Sequence, residues 1–151
     1  MSVNPFDPRY TVLAKHAQHV VLIHFPIALL ITGAAFDFIG EWTKRRGLTE
    51  AAYFNFLAAA IATVPTLATG FLAWKFALEG QKLKGLLLEH MILAWTSSLL
   101  IWVIWAIHFR ARKRPQPLPP TYRLWIELAA VALIALTGHL GGFLSGVNGP
   151  G

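Results

Sequence analysis

Four long apolar runs alternate with short polar connectors along the chain. The runs cover about residues 19–40, 52–77, 86–109 and 124–144, and a helix that crosses a bilayer needs roughly 20 mostly apolar residues. Short connectors place consecutive helices antiparallel. The pattern therefore predicts an all-α integral membrane protein, with residues 1–151 forming one four-span domain folded as an up-down four-helix bundle.

Composition supports a membrane protein and narrows its chemistry. Hydrophobic residues make up 56% of the chain and charged residues 13%, whereas soluble domains carry about a quarter charged residues. Membrane lipid is therefore an expected partner. The net charge of +6 comes from basic residues that cluster in connectors, which argues against nucleic-acid binding. Cysteine is absent, which excludes disulfides, thiolate metal sites, iron–sulfur clusters and c-type haem attachment in this chain.

The distribution of Lys and Arg predicts the orientation of the bundle. The first and third connectors carry more of these residues than the opposite side, and cytoplasmic loops are enriched in them. The first set is Lys44, Arg45, Arg46, Arg110, Arg112, Lys113, Arg114 and Arg123; the second is Arg9, Lys15, Lys75, Lys82 and Lys84. We expect a multi-pass protein of the bacterial inner membrane with both termini on the outer, periplasmic side. The polar N-terminus lacks a signal-peptide pattern, so the first span should be retained.

Histidines gather toward the predicted outer side. His24, His90 and His139 each lie about 6–7 Å inside a span end, as judged from the helical rise. His19 lies at the rim above His24, and about 140° of helical rotation separates these two residues. On a regular helix they cannot share one face, so they serve different ligands or only one points inward. The other two histidines have simpler interpretations: His16 as a polar cap, and His108 as an interfacial residue near the headgroups.

Imidazoles at one level of a bundle suggest a bound cofactor. Ionisable residues within spans are costly, usually face the interior and are often functional. Haem b takes axial histidines from facing helices and needs no cysteine. This makes His19, His24, His90 and His139 candidate axial ligands for one or two haems. Zinc or copper bound by imidazoles, and a proton relay, are the alternatives.

Several motifs resemble a bacterial four-span membrane-protein family known by a domain of unknown function. Its opening pattern, His-Pro-x-x-x-His-Phe-Pro-Ile-Ala-Leu, matches HVVLIHFPIALL at 19–30, with Val20 in place of the proline. Its Thr-Gly-His-x-Gly-Gly pattern matches TGHLGG at 137–142, and ATGFLAW at 68–74 and the isolated His90 also fit. A later family histidine is missing from FLSGVNGPG at the C-terminus.

The resemblance implies a function in electron transfer. It implies that His19, His24, His90 and His139 ligate haem or a metal, and relatives fused to or beside c-type cytochromes suggest a redox partner. The sequence thus favours a b-type membrane cytochrome, as a subunit of a larger complex. The alternatives are a non-redox anchor subunit and a membrane metal-binding protein or metal-dependent enzyme, although no hydrolytic motif supports the last of these.

A second polar group is expected near the predicted cytoplasmic side. Asp37, Asn55 and Glu127 lie at similar depth in three spans. Structural hydrogen bonding between helices is the favoured interpretation of this group. A quinone or proton pocket is the alternative.

Overall fold

A computed structural model of the protein describes residues 17–76, 78–113 and 119–146. Over these residues the chain forms helices and no strands. The helices are α1 (Ala17–Leu22), α2 (His24–Thr43), α3 (Arg46–Phe76), α4 (Gly85–Arg112) and α5 (Arg123–Leu144). The first span, Gln18–Thr43, combines α1 and α2, and α3, α4 and α5 are the other three. The prediction of an all-α chain with four helices long and apolar enough to cross a membrane is confirmed.

The regular hydrogen bonding of the first span is interrupted at Ile23, between α1 and α2. Pro26 has no N–H to donate to the carbonyl of Leu22 one turn earlier, so the helical ladder is interrupted there. The hydroxyl of Thr66, on α3, lies 3.3 Å from that carbonyl and 2.8 Å from the carbonyl of Ala62. A side chain of the second span thus offers a donor to the freed oxygen, which ties the start of the first span to α3.

The spans pack as a ring in which each contacts its two neighbours, the fourth closing against the first. The core at the centre is built from large aliphatic and aromatic side chains among small alanines, including Leu30, Phe56, Ile101 and Ile104. Large apolar side chains also cover the outside, with Leu99 65% exposed. Apolar residues on both the inner and outer faces of a helix are typical of a lipid-embedded bundle.

The two helical hairpins are structural repeats offset by 71 residues. Buried positions of α2 recur in α4, and buried positions of α3 recur in α5. Pro26, Leu30, Gly33, Asp37 and Gly40 correspond to Ser97, Ile101, Ile104, His108 and Ala111. Ala52, Phe56, Ala59 and Thr63 correspond to Arg123, Glu127, Ala130 and Ile134. Both hairpins therefore bury the same faces, as in membrane proteins built from parallel repeats.

Polar side chains define the two ends of the bundle. The histidine end contains His19 and His90, and the carboxylate end contains Asp37 and Glu127. Trp42 and Trp125 lie near the carboxylate end and are 86% and 75% exposed, as expected for side chains at a membrane–water interface.

Candidate functional site

His19 is held between the first and second spans by groups of α3. Its Nδ1 lies 3.2 Å from the carbonyl oxygen of Thr66 and 3.3 Å from the hydroxyl of Thr69. The ring packs against Gly70, where a Cβ would come within 2.9 Å of the His19 Cε1. The glycine therefore provides the space that the half-buried imidazole occupies.

His90 is held in the same way between the third and fourth spans. Its Nδ1 lies 3.0 Å from the carbonyl oxygen of Thr137. A Cβ on Gly141 would come within 3.1 Å of the His90 Cε1. Each histidine is 47 residues from its threonine, and every member of the second set follows its counterpart by the 71 residues of the repeat. The structure thus contains two equivalent histidine positions.

Both histidines line one cavity at the histidine end. The cavity has a volume of about 330 Å³ and is bounded by residues of all four spans. Most of its lining is apolar, with Ile27, Leu67 and Met91 among the side chains. Small-molecule and cofactor sites are mostly apolar pockets of about 300–1,000 Å³ with a few fixed polar groups. The cavity therefore has the size and character of a ligand site.

The hydrogen bonds determine the chemistry that the two imidazoles offer. A carbonyl oxygen only accepts, so Nδ1 of His19 and of His90 must carry the hydrogen. In a neutral imidazole Nε2 then holds the lone pair that binds a metal. Metal-ligating histidines commonly donate the other ring N–H to a backbone carbonyl, which fixes the tautomer and the ring orientation. Two such imidazoles in an apolar cavity fit the ligand set of a haem iron.

The other two candidate histidines occupy different positions. His24 lines the same cavity, but its side chain is exposed and its Nδ1 lies 2.7 Å from the carbonyl of Val20. His139 is exposed, packs edge-on against Phe143 at 5.0 Å, and does not line the cavity. The structure thus brings His19, His24 and His90 to one cavity and places His139 outside it. His16 lies outside the described residues.

His108 contradicts its sequence-based interpretation. We expected an interfacial side chain near the headgroups, but His108 is only 2% exposed and its Nε2 lies 3.0 Å from Oε1 of the fully buried Glu127. Its ring also packs against Phe56, with 4.9 Å between the centroids. Ala111 is buried as well, so the buried face of α4 continues two residues beyond the predicted span end. His108 is therefore an interior polar residue.

Arg123 organises the carboxylate end of the bundle. Its Nε donates to Oδ2 of Asp37 at 2.6 Å, and its Nη2 donates to Oε2 of Glu41 at 3.0 Å. Its Nη1 donates to the carbonyls of Pro119 and Pro120. Side-chain oxygens of Asp37 and Glu127 lie within 4.8 Å of each other, so these two acids meet as the sequence suggested. Asn55 does not join them, because its amide donates to the carbonyl of Ala51 in its own helix.

Three buried donors at this end lie close together. Asp37, His108 and Glu127 offer donor atoms within 4.8 Å of one another, a spacing that a metal ion could bridge. The guanidinium of Arg123 lies against Asp37 at 2.6 Å and would repel a divalent cation there. The arrangement therefore suits a hydrogen-bonded network better than a metal centre.

Comparison with known proteins places the chain in a family. The model of the family described as "Predicted membrane protein (DUF2231)" matches residues 15–149. The chain belongs to this family. No curated protein and no solved structure matches the chain. For DUF2231, the match supports a membrane protein in contact with lipid and leaves its chemistry open.

Three features of this DUF2231 chain escaped sequence reasoning. The pairing of His19 with His90 is visible in the sequence as a common spacing to Thr66 and Thr137, and then to Gly70 and Gly141. The same repeat indicates that His108 is buried, since His108 corresponds to Asp37. Nothing in the sequence singled out Arg123, which stands at the end of a basic connector among other cations.

Proposed function

We propose that the protein is a b-type membrane cytochrome with one haem held by His19 and His90. The observation that carries the proposal is the repeated arrangement of these residues: two imidazoles at equivalent positions, each with Nδ1 bonded to a carbonyl, line one apolar cavity. Histidine pairs on facing helices of a bundle are a recurring haem-binding arrangement. When bound, haem iron supplies one-electron chemistry.

The chain's own residues would orient the cofactor and exclude water. The carbonyls of Thr66 and Thr137 hold the two rings in the tautomer that binds iron, and raise the basicity of Nε2. The apolar lining would keep water from a bound haem, and the low local dielectric would influence its reduction potential. His24, at the exposed rim of the cavity, would contact the haem carboxylates. His139 does not line the cavity, so the proposal gives it no role in haem binding.

Electron transfer requires partners that exchange electrons with the site. We propose that the protein works in the bacterial inner membrane as a subunit of a larger redox complex, with the histidine end on the periplasmic side. A c-type cytochrome there is the proposed donor or acceptor. The excess of Lys and Arg at the carboxylate end supports this orientation.

The proposal predicts a haem spectrum for the purified protein. A reduced-minus-oxidised visible spectrum should show the Soret and α bands of a six-coordinate haem b, at about one haem per chain. A colourless preparation that contains a transition metal would instead support a membrane metal-binding protein. A colourless, metal-free preparation after expression with ample haem would support a non-redox anchor subunit.

The two glycines that face the histidine rings provide a local test. Alanine at Gly70 or Gly141 would place a methyl group 2.9 or 3.1 Å from the ring it faces, which displaces the imidazole. We expect each variant to bind haem with about 10–100-fold lower affinity, as when other groups that orient a metal ligand are altered. The measurement is a haem titration of the apoprotein.

Gly47→Ala is the matched control for the glycine variants. Gly47 lies in the same helix as Gly70 but does not line the cavity, and a Cβ there would meet nothing within 4 Å. Haem affinity of this variant should equal that of the wild type. Equal losses in all three variants would show that haem binding does not depend on the ring positions.

A further inference from the structure

A second cavity opens at the carboxylate end and reaches His108. It has a volume of about 250 Å³ and is lined by Thr49, Glu50, Tyr53, His108, Arg112 and Pro119. Most of its lining residues are ionisable or carry a hydroxyl group, whereas the lining of the cavity at the histidine end is mostly apolar. Glu50 at its edge is exposed, so the cavity communicates with the aqueous phase. It provides a polar route from that phase to a histidine that is itself 2% exposed.

The buried side chains of His108 and Glu127 share at least one proton. The 3.0 Å contact between His108 Nε2 and Glu127 Oε1 requires a hydrogen, on either the imidazole or the carboxyl group. Two buried carboxylate oxygens, Asp37 Oδ1 and Glu127 Oε2, have no hydrogen-bond partner among the described residues. A buried anionic oxygen without a partner is costly. A proton on the carboxyl group of Glu127 removes that charge and supplies a donor.

Of the two buried acids described at this end, Glu127 is the one with no Lys or Arg within ion-pair distance. On the first span, Asp37 pairs with Arg123, and Glu41 pairs with Arg123 and Lys44. His108 Nε2 also lies 3.8 Å from Oδ2 of Asp37, and the charged side chains that line the cavity are Glu50 of α3 and Arg112 of α4. Arg112 lies over the ring of Tyr53 at 4.4 Å. Glu127 is fully buried, and its hydrogen-bond partner is the ionisable His108.

We propose that His108 and Glu127 form a proton-binding site that exchanges with the aqueous phase at the carboxylate end through this cavity. His108 takes up a proton from water in the cavity and passes one to Oε1 of Glu127, so the imidazole gains and loses one proton and stays neutral. The released proton returns by the same route. Buried ionisable residues within spans commonly serve such relays. The proposal does not depend on haem, because its residues do not line the cavity at the histidine end.

Infrared spectroscopy of the purified protein in lipid tests the proposal. The wild type should show the C=O stretch of a protonated carboxylic acid, which shifts in D₂O and decreases as pH rises across the stable range. Glu127→Gln keeps the size of the side chain and should remove this band. Glu50→Gln, at the exposed cavity edge, is the matched control and should retain it. His108→Gln should retain the acid but slow its exchange in D₂O by about tenfold or more.

Three results would overturn the proposal. The first is a wild type without a titrating carboxylic acid band, a measurement that needs no variant to fold. The second is a band that persists in Glu127→Gln. The third is stoichiometric Zn²⁺ binding that His108→Gln abolishes, which would assign the three donors to a metal. None of these outcomes bears on the visible spectrum that tests the cytochrome proposal.

Discussion

Replacing either His19 or His90 with alanine should abolish stable haem binding, while replacing His139 with alanine should leave it unchanged. The loss should exceed about tenfold in haem per chain, since altering only a group that orients a metal ligand already costs about 10–100-fold in affinity. His19 and His90 both line the cavity, and Nδ1 of each donates a hydrogen bond to a backbone carbonyl. The check is the haem-to-protein ratio of each purified variant.

His139→Ala is a stringent control because it removes a histidine from the same end of the bundle. Its ring is exposed and packs against Phe143 outside the cavity. His90→Met separates ligation from folding, because a thioether can replace imidazole at iron and raises the reduction potential. If His139→Ala loses haem and His19→Ala keeps it, the assignment of His19 and His90 as the two haem ligands is wrong. Loss of haem in His24→Ala alone would instead identify His24 as an axial ligand.

The fold was predictable because each span is defined by length and apolarity alone. In lipid the backbone must satisfy its own hydrogen bonds. A run of about 20 apolar residues in a short chain is therefore expected to form a helix. Short connectors then fix the antiparallel order. These constraints act locally along the chain. The sequence therefore sufficed for an all-α bundle with four membrane-spanning helices.

The arrangement of the histidines was harder to predict because it depends on contacts between spans. Depth along a regular helix brought His24, His90 and His139 to one level. The structure instead gives His19 and His90 equivalent surroundings, each held by a threonine carbonyl and a glycine from the next span. His24 was expected to serve a different ligand from His19 or to point away from it, but both residues line the same cavity.

The carboxylate end shows a second limit of reading spans one at a time. His108 stands beside Arg110 and Arg112, so its sequence neighbours indicated an interfacial position. Its environment is set by Glu127 and Phe56, which come from other helices. Arg123 is similar, because it follows a basic connector yet is 1% exposed. Whether a cation at a span end lies in solvent or in the interior depends on an acid in another helix.

Arg123→Ala should strongly destabilise the protein, because it removes the cation that holds the carboxylate end together. Removing one partner of a buried ion pair costs about 3–5 kcal/mol, since the remaining charge is left buried and unpaired. Asp37 would lose its 2.6 Å contact while its Oδ1 already has no partner among the residues described. The bonds that hold the carbonyls of Pro119 and Pro120 would also be lost. The free energy of unfolding, from denaturant titration in mixed micelles, is the quantity to compare.

Lys44→Ala is the matched control for this effect, since it also removes a cation paired with an acid at the carboxylate end. Lys44 lies 2.6 Å from Glu41, but its side chain is 76% exposed, and pairs of this kind contribute about 0–1 kcal/mol. The double variant Asp37→Asn, Arg123→Gln removes both buried charges together and should recover part of the loss. Equal destabilisation by Arg123→Ala and Lys44→Ala would contradict the buried pairing, because burial is the main difference between the two sites.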